Sequence, residues 1–64
     1  MHSLKIEKLS EYELIDSIIK RQKLNLILDI TANGQGFRVI GLNVEIMDLK
    51  TILDGKGIKY ENEL

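Results

Sequence analysis

The chain has no cysteine, no proline and no tryptophan. Without cysteine there is no disulfide framework, thiolate zinc site, iron–sulfur cluster or cysteine nucleophile. Aromatics are confined to Tyr12, Phe37 and Tyr60, and the only imidazole is His2. No apolar run approaches the roughly 18–20 residues that a membrane helix needs. A basic segment followed by an apolar one, the mark of a secretory signal, is missing from the start. A cytoplasmic protein is the expectation, with no membrane partner. Charge of one sign is also lacking: nine Lys and Arg stand against ten Asp and Glu, a net charge of −1. That balance argues against a basic nucleic-acid footprint. It argues equally against a DNA mimic, which needs a large acidic excess.

Aliphatic residues are abundant. Hydrophobic residues make up 44% of the 64, too many for a disordered chain. One domain spanning residues 1–64 is expected. A chain of this size buries only about 60% of its unfolded surface, and neither disulfide nor metal is at hand as a staple. A homodimer is the expected further source of burial.

Periodicity divides the chain. Residues 3–8 alternate, with Leu4 and Ile6 on one side and Lys5 and Glu7 on the other, as in a half-buried strand. Ser10-Glu11-Tyr12-Glu13 fits a capping box, and Leu9 with Leu14 fits a hydrophobic staple. A helix is expected over about 11–22, with Leu14, Ile15, Ile18 and Ile19 in one stripe and Tyr12 at its margin. Lys20 and Arg21 suit its C-terminal dipole. Residues 24–31 return to a period of two, with Leu24, Leu26, Leu28 and Ile30 on one face. Asn33-Gly34 is a type I′ hairpin signal, and a second strand follows from Phe37 to about Leu42. A two-residue turn would oppose Ile30 to Phe37, Asp29 to Arg38, Leu28 to Val39, Ile27 to Ile40 and Leu26 to Gly41. Asn43 is a candidate N-cap for a helix with Ile46, Leu49, Ile52 and Leu53 on one face. Gly57 at its end, with Ile58 against Leu53, fits a Schellman stop. Residues 58–61 alternate as a short last strand, and 62–64 are expected to fray.

The order β-α-β-β-α-β implies an α+β, two-layer ferredoxin-like sandwich with strand order 4-1-3-2. If the first and last strands fail to form, a helix–β-hairpin–helix unit remains, which could hardly stand alone. Leu4, Ile6, Leu24, Leu26, Leu28, Ile30, Phe37, Val39, Ile58 and Tyr60 would face the helices. The other face would carry Asn25, Ile27, Asp29, Thr31, Arg38, Ile40 and Leu42, flanked by Lys5, Glu7, Lys59 and Glu61. An apolar strip of Ile27, Ile40 and Leu42, oriented by Asp29 and Arg38, sits there in a polar rim, the composition of a small recognition surface. The second strand is also a long edge with few blocking charges.

Catalytic, cofactor and metal sites find no support. His2 lies at the chain start. None of Ser3, Ser10 and Ser17 has a histidine base placed by sequence. The carboxylates form no metal-loop or zinc-helix motif. Gly34-Gln35-Gly36 lacks the Lys and the helix of a phosphate loop, and Gly55-Lys56-Gly57 reads as a helix stop. RNA-binding sheets of this kind present aromatics outward, whereas Phe37 is assigned inward.

The segment from Gly36-Phe37-Arg38-Val39-Ile40-Gly41 through Gly55-Lys56-Gly57-Ile58-Lys59-Tyr60 resembles the back half of ACT-type regulatory domains. That resemblance, over under half the chain, implies a small molecule bound at a dimer interface. Leu9-Ser10-Glu11 stands where such domains place a glycine-bearing ligand turn. The leading expectation is a non-enzymatic module that docks on a larger partner protein as a homodimer. An ACT-like sensor is the alternative, and a small nucleic-acid-binding regulator comes after it.

Overall fold

The computed structural model describes residues 1–31 and 34–63. Alternation on β1 (His2–Ile6) and β3 (Phe37–Gly41) places Leu4, Ile6, Phe37 and Val39 on one side, and all four are fully buried. These strands pair antiparallel at the centre of a sheet ordered β2-β3-β1-β4, with β2 (Ile27–Ile30) and β4 (Glu61–Glu63) at its edges. Helix α1 (Tyr12–Gln22) adds Ile15, Ile18 and Ile19 to the same core, and α2 (Asn43–Lys56) adds Ile46, Leu49 and Leu53. The result is a small compact α+β domain of two helices and a four-stranded antiparallel sheet. Tyr12 meets Phe37 edge to face, centroids 5.1 Å apart, a geometry worth about 0.5–1.5 kcal/mol beyond burial. Both the first and the last strand form, so the chain is more than a helix–hairpin–helix unit.

The hairpin register follows the expected pairing: Ile27 with Ile40, Leu28 with Val39, Asp29 with Arg38 and Ile30 with Phe37. Leu26 precedes β2, yet a Cβ on Gly41 would collide with its side chain. The strand itself is shorter than the alternation, since residues 24–26 are outside it. The Asn33-Gly34 turn lies partly outside the described residues. Gly34, within them, has φ +68 and donates its amide to the Thr31 carbonyl at 2.9 Å.

Both helices end as Schellman stops. Gly57, at φ +72, donates to Asp54, and the Ile58 amide reaches the Leu53 carbonyl at 3.0 Å, the arrangement expected. Lys23 does the same work at φ 56, with the Leu24 amide on the Ile19 carbonyl at 2.9 Å.

The helix starts differ from expectation. The chain first makes a 3-10 turn over Leu9–Glu11, closed by the Glu11 amide on the Lys8 carbonyl at 3.0 Å. Ser10 is therefore inside that turn and Glu11 takes the cap position, with no side-chain cap bond. The capping box does not form. Leu9 and Leu14 of the expected staple are both exposed. For α2, Leu42 is the cap: extended at ψ 152, it offers its carbonyl to the Ile46 amide at 3.0 Å. Asn43 is already helical. Ile30, expected in the core, is 53% exposed, because it ends the outermost strand. The last strand is also displaced. Ile58 is held by the helix stop and Tyr60 by Asp54, so pairing with β1 begins at Glu61 and includes Asn62 and Glu63, which were expected to fray.

Two glycines make opposite demands. A Cβ on buried Gly36 would press on the Ile6 carbonyl and lie 3.1 Å from the Glu7 carbonyl oxygen, all backbone that cannot step aside. Gly55, inside α2, would meet nothing within 4 Å. Gly36→Ala should therefore cost about 1–3 kcal/mol through overpacking. Gly55→Ala should gain about 0.5–1 kcal/mol from helix propensity. Thermal melts of the two variants should move in opposite directions, by roughly 4–8 °C per kcal/mol.

Candidate functional site

Both helices lie on one face of the sheet, so the other face is open. Register lays out its side chains in rows across the four strands. One row runs Ile27, Ile40, Ser3, Glu63 and the next Asp29, Arg38, Lys5, Glu61. The first is apolar at the β2 side and polar at the β4 side, and the second sets two cations, Arg38 and Lys5, between two carboxylates, Asp29 and Glu61. Ile27 is 59% exposed and Ile40 half-buried beside it. Leu42, third member of the expected strip, is exposed at the N-terminal cap of α2, one residue past β3. Asp29 and Arg38 are directly opposed, as the sequence suggested.

Glu63 is the residue that sequence reasoning missed. Its carboxylate takes the Arg38 Nε at 2.8 Å and lies 3.4 Å from the Ser3 hydroxyl. Arg38 is thus paired with Glu63, two strands away, while Asp29 stands opposite it in the β2–β3 register. A partly exposed pair of this kind contributes about 0.2–1 kcal/mol, but it fixes where the guanidinium points. The signal available was the alternation of Glu61 and Glu63 continuing that of Lys59. It carries no apolar residue, so it does not read as a strand.

A second feature lies at the sheet end where β1 stops. An open cleft of about 720 Å³ is lined by Glu7, Lys8 and Glu11 on one side and by Asp54 and the 57–61 segment on the other. The Tyr60 hydroxyl donates to Asp54 at 2.8 Å. That hydrogen bond, then burial and the Asp54 charge, pushes the phenol above its usual range. Glu61 is also raised, first by its hydrogen bond to Glu7 and the charge of that carboxylate, with Lys5 pulling the other way. Like charges gathered here disfavour ionisation.

His2 sits in β1 opposite Gly41 and is exposed, rather than at a loose chain end. No three His, Asp or Glu among the described residues are grouped to hold a metal ion. Lys20 of the basic segment pairs with Asp16 at 3.0 Å, one helical turn away. Phe37 is buried on the helix side, so the open face lacks an aromatic stacking platform among the described residues. No described helix is long and apolar enough to cross a membrane. Compared with protein-family models, curated proteins and solved structures, the chain finds a match in none of the three.

The raised Glu61 pKa makes a signed prediction. The folded state holds this proton more tightly than the unfolded chain, so between the two values it binds more protons. Stability then falls as pH rises through and just above the ordinary glutamate range. Glu61→Gln should flatten that part of the profile while keeping a donor for Glu7. Urea midpoints measured from pH 3.5 to 7 in both proteins check this; parallel profiles would place the effect elsewhere.

Proposed function

We propose that this chain is a non-enzymatic interaction module on a ferredoxin-like βαββαβ sandwich, docking on a larger partner protein through the open face of its sheet. The order β2-β3-β1-β4, with one helix between β1 and β2 and the other between β3 and β4, supports that reading of the fold. The observation that carries the function is the row arrangement: an apolar pair, Ile27 and Ile40, beside an aligned charged row led by Asp29 and Arg38. Apolar centres supply desolvation, and fixed rim charges supply orientation. A pre-positioned guanidinium, braced by Glu63, loses less side-chain freedom on binding. Self-association and a cytoplasmic location belong to the same proposal.

Ile40→Asp should keep the circular dichroism spectrum and abolish partner capture. Val44→Asp, on an exposed position of α2 away from the sheet, should change neither. Capture that survives Ile40→Asp, or is lost equally with Val44→Asp, removes the open face from consideration.

A second reading draws support from the cleft. An ACT-like sensor would hold a small ligand there, and four carboxylates, Glu7, Glu11, Asp54 and Glu61, against two lysines, Lys8 and Lys59, favour a cationic, amine-bearing one. A thermal-shift series with basic amino acids and with nucleotides separates the two readings. Under the sensor reading the former raise the melting temperature in a saturable way and the latter do not; under the docking reading neither does.

A further inference from the structure

The two edges of the sheet are not alike. β4 is three residues long, Glu61-Asn62-Glu63, and its charges guard it. β2 is Ile27-Leu28-Asp29-Ile30, with Ile27 and Ile30 both more than half exposed. It carries neither Lys nor Pro, the usual protections of an edge. Among the described residues no strand lies beyond it.

The hydrogen-bonding direction of this edge can be read. The Thr31 amide donates to the Gly36 carbonyl at 3.0 Å, so that position of the hairpin is a bonded pair. Bonded and non-bonded pairs alternate in an antiparallel ladder. Asp29 and Ile27 therefore turn their amides and carbonyls toward β3, while those of Ile30, Leu28 and, by continuation, Leu26 turn outward. The Asn25 carbonyl, on the inward phase, lies beside Gly41 as this requires.

The geometry points to a second copy of this chain as the occupant of that edge, with β2 pairing antiparallel to its own copy about a two-fold axis at Ile27. A two-fold perpendicular to the sheet keeps both helical layers on one side and must pass through a single residue. Centring on Asp29 would oppose two carboxylates, and centring on Leu28 would set Ile27 against Asp29. Centring on Ile27 sets Ile27 against itself, Leu28 against Leu26 of the second copy and Asp29 against Asn25 of the second copy. The two Leu28–Leu26 pairs then exchange the outward amides and carbonyls. Ile30 falls over Leu24 of the second copy, giving its exposed side chain an apolar neighbour. This use accounts for a seven-residue alternation, 24–30, of which one copy forms only four residues as strand. The assembly closes, because what remains at each end is the short acidic edge of β4.

The inference rests on the docking reading for its consequence. Pairing joins the two open faces, so that Ile40 and Ile27 of each copy line up as one stripe of four isoleucines across the axis.

The absence of cysteine makes the register directly testable. In the predicted pairing Ile27 and its copy form a non-bonded pair, with Cα atoms about 4.5 Å apart, within disulfide range. Ile27→Cys should cross-link to a covalent dimer under mild oxidation, and light scattering should find the native chain dimeric. Asp29→Cys, displaced from its own copy by about 13 Å along the strand, should stay uncross-linked. Circular dichroism of both variants confirms that each is folded. A native chain that remains monomeric up to several hundred micromolar overturns the proposal, as does cross-linking of Asp29→Cys as efficient as that of Ile27→Cys. Neither readout needs a partner protein, so failure here counts against the edge pairing, and loss of capture counts against docking.

Discussion

Everything in this fold depends on the one-sided pairing of β1 with β3. Two short central strands alternate so that Leu4, Ile6, Phe37 and Val39 all point one way, and each is completely buried. That platform gives both helices a common surface to cover. It also fixes their faces: Ile15, Ile18 and Ile19 on one, Ile46, Leu49 and Leu53 on the other. Close approach at the platform's rim is equally strict, which is why Gly36 has no room for a side chain beside the end of β1. Among the described residues no second layer covers the opposite face. The open face is thus a consequence of the core, and the side chains on it are free to be selected for something other than folding.

The parts of the fold legible in the sequence were those with apolar periodicity. The hairpin register was readable because a one-residue slip would bury Asp29 and expose the leucines, and the ladder matches it from Ile27 to Ile30. The stop at Gly57 was readable because a left-handed residue followed by Ile58 has few other uses, and the backbone bonds are those of that motif. What failed was local polar chemistry. Ser10 and Asn43 are good caps in isolation, but the chain enters each helix by another route, through a 3-10 turn and through extended Leu42. The last strand was misplaced for a related reason: Glu61-Asn62-Glu63 has no apolar residue to declare its face, and pairing with β1 together with the Glu63–Arg38 bond holds it.

The candidate site was legible in the same uneven way. Ile27, Ile40, Asp29 and Arg38 follow from the register, so their shared face was available to sequence reasoning. The brace on Arg38 was not, since it comes from Glu63, 25 residues away, on a strand that no hydrophobic pattern announces. Electrostatics at the two ends of the sheet also differ in kind. On the open face, two cations, Arg38 and Lys5, lie between Asp29 and Glu61, and Arg38 pairs with Glu63. At the end of β1, carboxylates collect, and the raised pKa of Glu61 records that crowding. The near-neutral total conceals this local separation, which is why net charge does not locate a surface.

The two edges carry the same lesson into assembly. An edge strand needs protection only if its exposed groups can meet a partner with matching register. β4 is protected by being short and acidic. β2 is unprotected, and its sequence is nearly symmetric about Ile27: Leu26 and Leu28 flank it, then Asn25 and Asp29, then Leu24 and Ile30. Folding of one copy requires the inward-facing apolar residues of that run but not its symmetry, nor an isoleucine left 59% exposed at the centre. A two-fold partner uses both. Under this proposal the small core supplies the motive, since a second copy adds apolar burial to a chain without a disulfide. In the proposed dimer, docking and pairing are not competing uses of Ile27, because the edge contact would join the two open faces into one larger surface.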